Sequence, residues 1–151
     1  MAPATNNAEF LLARARRAAE RAHCPYSNFH VGAAVRCDDG SVIDGCNVEN
    51  ASYGLSICAE RVALFTAISQ GKQPIELAVS CIDAQTDAAP GSRMPCGACR
   101  QVMQELLPST AQVSIDGVGT RQLDHLLPAP FELDNQASTD HHLHNTVPIN
   151  T

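Results

Sequence analysis

The sequence is poor in aromatic residues: it has no tryptophan, two tyrosines and four phenylalanines, 4% of the chain. That leaves few flat platforms on which successive bases could stack. It is also short of positive charge, with 10 Lys+Arg against 16 Asp+Glu and a formal net charge of −6 with neutral histidine. A net negative chain opposes binding by phosphate neutralisation, so a dedicated nucleic-acid binder is set aside. No apolar run approaches the ~20 residues a membrane helix needs, and the first residues hold no basic stretch leading into an apolar one. A cytoplasmic protein with no membrane partner is expected.

What remains is a chain of 151 residues, 44% of them hydrophobic, the size of one domain. Such a chain buries roughly 68–70% of the surface it exposes when unfolded. No internal repeat or second hydrophobic stretch is visible. Cysteine, by contrast, is plentiful. Seven is an odd number, so disulfides cannot use them all. In a reducing compartment such a count points to a metal or to chemistry.

Residues 8–23 hold Ala, Leu, Glu and Arg with no Gly or Pro, which predicts a helix capped by Asn6 or Asn7. Leu11, Ala15, Ala18 and Ala22 form its inward stripe. Arg14, Arg16, Arg17 and Arg21 read as a solvated face rather than a nucleic-acid strip, given the net acidity. Strands are expected at 30–37 and 41–48, joined by the turn Asp38-Asp39-Gly40. A helix follows at 58–70, closed by Gly71 and Pro74, then a buried strand at 75–82. After a polar loop at 83–95, residues 96–107 suit a helix that Pro108 ends. A short strand at 112–116 turns at Gly117-Val118-Gly119 into a fifth. From residue 134 to 151 the chain is polar and reads as a mobile tail, and its histidines at 141, 142 and 144 fit an unstructured tail better than a metal site. The order β-β-α-β-α-β behind a leading helix is an α/β arrangement.

Two cysteine motifs open the two middle helices: Cys58-Ala59-Glu60 and Pro95-Cys96-Gly97-Ala98-Cys99. The first helix must run back across the sheet before strand 75–82 begins, so it starts near the end of that strand, where the second helix also starts. Chain order thus brings Cys58 to Cys96 and Cys99. Helix amino ends lower thiol pKa values and help thiolates hold a cation. Three thiolates without a fourth protein ligand favour tetrahedral Zn²⁺ with one open position, the arrangement of a catalytic site. Arg61, one helical turn after Cys58, faces the same way and offsets the net negative charge of such a centre. Glu60 sits beside a ligand without being one, placed to exchange a proton with bound water.

These residues resemble the small, zinc-dependent, homotetrameric cytidine deaminases. The general pattern, three Cys with Pro-Cys-x-x-Cys and an adjacent Glu, is the one described for zinc deaminases at large. The resemblance runs through Cys24-Pro25-Tyr26-Ser27-Asn28-Phe29, Val31-Gly32-Ala33-Ala34, Gly45-Cys46-Asn47-Val48-Glu49-Asn50-Ala51, Cys58-Ala59-Glu60-Arg61 and Pro95-Cys96-Gly97-Ala98-Cys99-Arg100-Gln101, to Leu126-Leu127-Pro128 and Phe131. It covers about residues 8–133 and departs from the family in a short segment 112–125 and in Met94, where small residues are common.

The resemblance implies a three-layer α-β-α fold with a mixed central sheet, a catalytic domain at 1–133, and one Zn²⁺ per subunit held by Cys58, Cys96 and Cys99. It implies that Asn47 and Glu49 hold the ribose hydroxyls, that Phe29 packs on the pyrimidine, and that the Ala59 backbone meets the base edge. Ala51, Tyr53 and Phe131 would enter the pocket from neighbouring subunits of a homotetramer. The expected reaction is hydrolytic deamination of cytidine and 2′-deoxycytidine in pyrimidine salvage, with Glu60 shuttling protons to a zinc-bound hydroxide that attacks C4 and on to the departing ammonia. Three rivals stand beside it: a deaminase of nucleotides or nucleic acid, which Glu49 opposes; a relative tuned to a nucleoside antibiotic; and a structural zinc module. Cys24, Cys37, Cys46 and Cys81 read as reduced, small apolar residues.

Overall fold

The computed structural model describes residues 4–134. The tail expected beyond Asp134, with its three histidines, lies outside them. The elements are α1 (Ala4–Ala19), β1 (Val31–Cys37), β2 (Val42–Cys46), α2 (Ala59–Ser69), β3 (Pro74–Cys81), α3 (Gly97–Leu106), β4 (Gln112–Ile115), β5 (Gly119–Gln122) and α4 (Leu123–Leu126). Single 3₁₀ turns occupy Tyr53–Leu55 and Pro90–Arg93.

The strands form one five-stranded sheet in the order β2-β1-β3-β4-β5. β1 runs antiparallel to both β2 and β3, β3 parallel to β4, and β4 antiparallel to β5, so the sheet is mixed, as expected. The register Gly32↔Cys46 and Val31↔Cys81 puts the start of β1 level with the ends of β2 and β3. Alternation then sorts the side chains. Ala34 and Ala78 pack with Leu11 and Ala15 of α1 on one face. Ala33, Val35, Leu77, Val79, Val113 and Ile115 pack with Ala63, Leu64 and Met103 of α2 and α3 on the other. The result is three layers, helix, sheet and helix pair.

Small residues let the layers close. A Cβ on Gly32 would stand 1.9 Å from the Ala15 carbonyl oxygen, and one on Gly45 would stand 2.5 Å from the Ala63 nitrogen. The two glycines therefore seat α1 and α2 on opposite faces of the sheet.

Some sequence expectations need correction. Helix α1 is under way by Ala4 and ends at Ala19, so Asn6 and Asn7 lie within it and do not cap it, and Ala22 falls outside it, half-buried, while Ala19 joins the stripe. The arginines are not simply a solvated face. Arg14 makes a bidentate contact with Asp44 of β2 (3.1 and 3.0 Å) and Arg16 another with Asp116 (2.8 and 2.7 Å), while Arg21 lies 3.6 Å from Asp44. Acidic groups more than twenty residues away claim these cations, which spacing along the helix cannot reveal. The short helix α4 was not foreseen, because four residues carry no periodic signal. No described helix is long and apolar enough to cross a membrane.

Candidate active site

One end of the sheet gathers the chemistry. The start of β1, the ends of β2 and β3, and the amino ends of α2 and α3 converge there, because β1 runs opposite to its neighbours and each middle helix begins beside the strand ends. Cys58 and Cys96 are the residues that cap α2 and α3. The sulfurs of Cys58, Cys96 and Cys99 all lie within 4.8 Å of one another, and all seven cysteines are free. Cys99 is buried, Cys58 half-buried and Cys96 exposed. Arg61 donates from Nη2 to the Cys58 sulfur at 3.5 Å, the contact expected from their spacing. The Cys58 thiol is lowered to about 5, first by the hydrogen bond from Cys99 and then by Arg61. Cys99 is pushed the other way, since a thiol that shares its proton with an ionised neighbour holds it more tightly.

The donor set fits a metal. Three unbridged thiols at two helix amino termini, backed by a guanidinium, suit a soft-ligand tetrahedral ion with an open position, and zinc is the ion that such an S₃ set selects.

Glu60 lies in the first turn of α2 and is only 4% exposed. Burial raises its carboxyl to about 7, because removal from water disfavours the charged form. A carboxyl poised near neutrality can both take and give a proton.

A cleft of about 290 Å³ opens beside these groups, lined by Phe29, Asn47, Glu49, Cys58, Glu60 and Cys96 among others. Asn47 is held on both sides: its Oδ1 accepts from Val31 N and its Nδ2 donates to Phe29 O, each at 2.9 Å. Glu49 accepts from Tyr26 N (2.9 Å), Ser27 N (3.2 Å) and the Ser27 hydroxyl, which in turn accepts from Phe29 N at 3.0 Å. Those bonds, the hydroxyl's first, lower the Glu49 carboxyl. Asn47 and Glu49 thus position Phe29 as well as facing the cleft. They stand just past the end of β2, in a segment bridged through Val48 to His23 and Ile57.

The structure does not bring every expected residue together. Ala59, of which only backbone groups are expected at the base edge, has its side chain fully buried and its carbonyl beside Gly45. Ala51, Tyr53 and Phe131 are exposed, Tyr53 at 77% and Phe131 at 70%. Tyr53 stacks edge-on with Tyr26 at 6.0 Å in an adjoining cleft that also touches Glu49, and Phe131 lies along α3, its carbonyl accepting from Gln101. Sequence reasoning missed Val31, Ser56, Ile57, Val79, Cys81, Ser92 and Arg93, which also line the cleft. From the sequence Cys81 reads as a reduced, small apolar residue. It is indeed buried, its thiol raised to about 11 by desolvation, but the last residue of β3 also faces the site. Its position at a strand end next to the metal motifs was the available signal.

Residues 5–115 match the cytidine and deoxycytidylate deaminase zinc-binding region. A cytidine deaminase of Halalkalibacterium halodurans is 44% identical over 131 residues, covering 84% of this chain and 96% of that protein. One of Mycobacterium tuberculosis is 44% identical over 126 residues, covering 83% and 90%. The crystal structure of a cytidine deaminase from Burkholderia pseudomallei superposes with a TM-score of 0.71 at 45% identity, covering 82% of this chain and 98% of that one. With the three-thiol centre, the adjoining carboxyl and the mixed sheet in place, the chain belongs to the zinc-binding cytidine deaminase family.

Proposed function

We propose that this chain hydrolyses cytidine and 2′-deoxycytidine to uridine and 2′-deoxyuridine, consuming water and releasing ammonia. The observation that carries the reading is the buried Glu60 carboxyl on the same helix turn as Cys58, within a cleft that also exposes Asn47, Glu49 and Phe29. Cys58, Cys96 and Cys99 would hold the zinc. Bound there, zinc supplies a water whose pKa falls from about 15.7 towards ~7.

The protein's own groups do the rest. Glu60 is placed to take one proton of the attacking water to N3 of the pyrimidine as oxygen bonds to C4, then the second proton of the same water to the amino group as the C4–N bond breaks and ammonia leaves. Burial keeps the carboxyl basic enough to take the proton and acidic enough to return it. Arg61 draws charge from the Cys58 thiolate, which restores Lewis acidity to an otherwise anionic centre. Phe29 offers its ring to the base, and Asn47 and Glu49, both already anchored to the backbone around it, have a second Nδ2–H and spare carboxylate lone pairs for ribose hydroxyls.

An ionised Glu49 near the sugar opposes a 5′-phosphate, which favours nucleosides over nucleotides. We assign residues 1–133 to the catalytic domain and the protein to pyrimidine salvage in the cytoplasm, in keeping with seven free cysteines. Exposed Tyr53 and Phe131 support a homotetramer in which these residues and Ala51 reach a neighbour's pocket. Ultraviolet spectra of cytidine and of its 5′-phosphate, incubated with the protein with and without a zinc chelator, test the reading. Chelator-sensitive conversion of cytidine, with the 5′-phosphate slower, is expected; failure to deaminate either compound overturns it.

A further inference from the structure

Two arginines flank the turn that carries Cys96 and Cys99. Downstream, Arg100 donates from Nε to Pro95 O (2.8 Å) and from Nη1 to Leu126 O (2.7 Å). Upstream, Arg93 reaches backwards, its Nη2 donating to Gln85 O at 2.6 Å and to Ala84 O at 3.3 Å. Its guanidinium also lies over the β4–β5 turn. Gly117 there has φ +75°, and a Cβ added to it would stand 2.8 Å from Arg93 Nη1. Arg93 lines the cleft between Ser92 and Met94, immediately before the zinc motif.

The segment 84–94 needs such a tie. Its backbone bonds are local: Ala84 N to Cys81 O, Ala88 N to Gln85 O, Ser92 N to Ala89 O and Met94 N to Gly91 O. None of these joins it to α2, α3 or the β4–β5 turn. At the base of the segment, Asp83 accepts from His30 N, but from Ala84 onward the Arg93 side chain is what closes the loop upon itself. A guanidinium suits the task, since one planar group can donate to two carbonyls, and charge-assisted bonds are about twice as strong as neutral ones.

We infer that Arg93 is a positioning residue: by closing loop 84–93 onto its own base and onto the Gly117 turn, it holds the adjoining Met94 at the wall of the cleft. Its Nη2 is taken up by the two carbonyls and its Nη1 lies against Gly117, which anchors the guanidinium to the loop and to the turn. The inference rests on the deaminase reading for its kinetic consequence, but its structural consequence can be measured separately.

The test compares zinc-loaded, full-length wild type with Arg93→Ala and Arg93→Lys, reading kcat, KM, bound zinc and amide hydrogen exchange over residues 84–96. For Arg93→Ala, kcat should fall about 10- to 100-fold with a smaller change in KM, since a displacement of about 1 Å at a reacting centre costs on the order of 10²-fold. Zinc should stay bound, because Cys58, Cys96 and Cys99 all belong to helix ends to which Arg93 makes no hydrogen bond. Exchange over 84–94 should accelerate, and Arg93→Lys, with one donor group able to reach Gln85 O, should recover part of both effects. Should Arg93→Ala fold poorly, Arg93→Met keeps the aliphatic stem while removing every donor, and should give the same paired signature. Unchanged exchange over 84–94, in either variant that folds, overturns the inference, as does a loss of kcat that only tracks lost zinc. If the wild type deaminates no cytosine nucleoside, the deaminase reading falls while the exchange comparison still decides the role of Arg93.

Discussion

Gly45→Ala should damage both stability and catalysis through a single contact. The missing side chain of Gly45 faces α2, and a Cβ there would lie 2.5 Å from Ala63 N and 2.6 Å from Ala59 O. Ordinary contact begins near 3.4 Å, so α2 must retreat by roughly 1 Å. The atoms struck are helix backbone, and no flexible side chain can swing aside. Overpacking costs about 1–3 kcal/mol, and a backbone clash belongs at the upper end. For a chain of this length, about 3 kcal/mol lowers Tm by roughly 6–12 °C. The helix that moves carries Cys58 at its cap and Glu60 in its first turn. A shift on the order of 1 Å there should reduce kcat/KM by up to about 10²-fold. Gly32→Ala is the control: its Cβ would stand 1.9 Å from Ala15 O, on the opposite face, against a helix that bears no site residue. It should destabilise at least as strongly while kcat/KM per zinc-loaded folded chain stays within about threefold of wild type. Thermal unfolding at fixed protein concentration, paired with cytidine kinetics at 25 °C, reads both effects. A Gly45→Ala protein melting within ~2 °C of wild type would refute the packing argument. Equal loss of activity in the two variants would refute its link to the site.

Glu60→Ala should keep its zinc and its fold while turnover drops by at least about 10²- to 10⁴-fold, and wild-type-like activity would remove Glu60 from the mechanism. Glu49→Gln should raise kcat/KM for cytidine 5′-phosphate relative to cytidine by about five- to tenfold, as one repelled charge is lost; an unchanged ratio would place nucleotide exclusion elsewhere. The Arg16 contact holds the Asp116 carboxyl below its ordinary value. Its stabilisation is therefore complete above the unfolded value of about 4 and is lost as pH falls through the lower folded value. Asp116→Asn should lower stability by about 0.5–1 kcal/mol at neutral pH, the partly exposed pair being screened by solvent, a gap that narrows below pH ~4 in denaturant titrations. A gap independent of pH would mean that the charge on Asp116 does not matter.

Much of the site was legible because its residue types are chemically constrained and stand in short motifs. Cys96 and Cys99, and Cys58 and Arg61, are i, i+3 pairs that share a face of their helix whatever the rest of the chain does, and Glu60 falls within the same first turn. The strands were legible for a similar reason, since Asp38-Asp39-Gly40 and the runs around it are local signals, and Gly40 does adopt φ +82°. Harder to read were features with partners far along the chain. The bidentate contacts of Arg14 and Arg16 depend on Asp44 and Asp116, 30 and 100 residues away, and the bonds of Glu49 to the Tyr26-Ser27 turn cross more than 20 residues. In sequence, those arginines are a basic helix face and that glutamate is only a carboxylate near a strand end.

By itself, then, the sequence determined the kind of chemistry: three thiols, a guanidinium and a carboxyl in motifs whose internal spacing is set by the helix repeat. Only the tertiary structure decided how those motifs meet and what they meet. The antiparallel run of β1 between β2 and β3 brings Phe29, Asn47 and Cys81 to one end of the sheet. The close seating of α2 on Gly45 sinks Glu60 until desolvation lifts its carboxyl to about 7. A proton-transfer pKa is a property of burial, and burial depends on contacts between segments that no local pattern in the chain records.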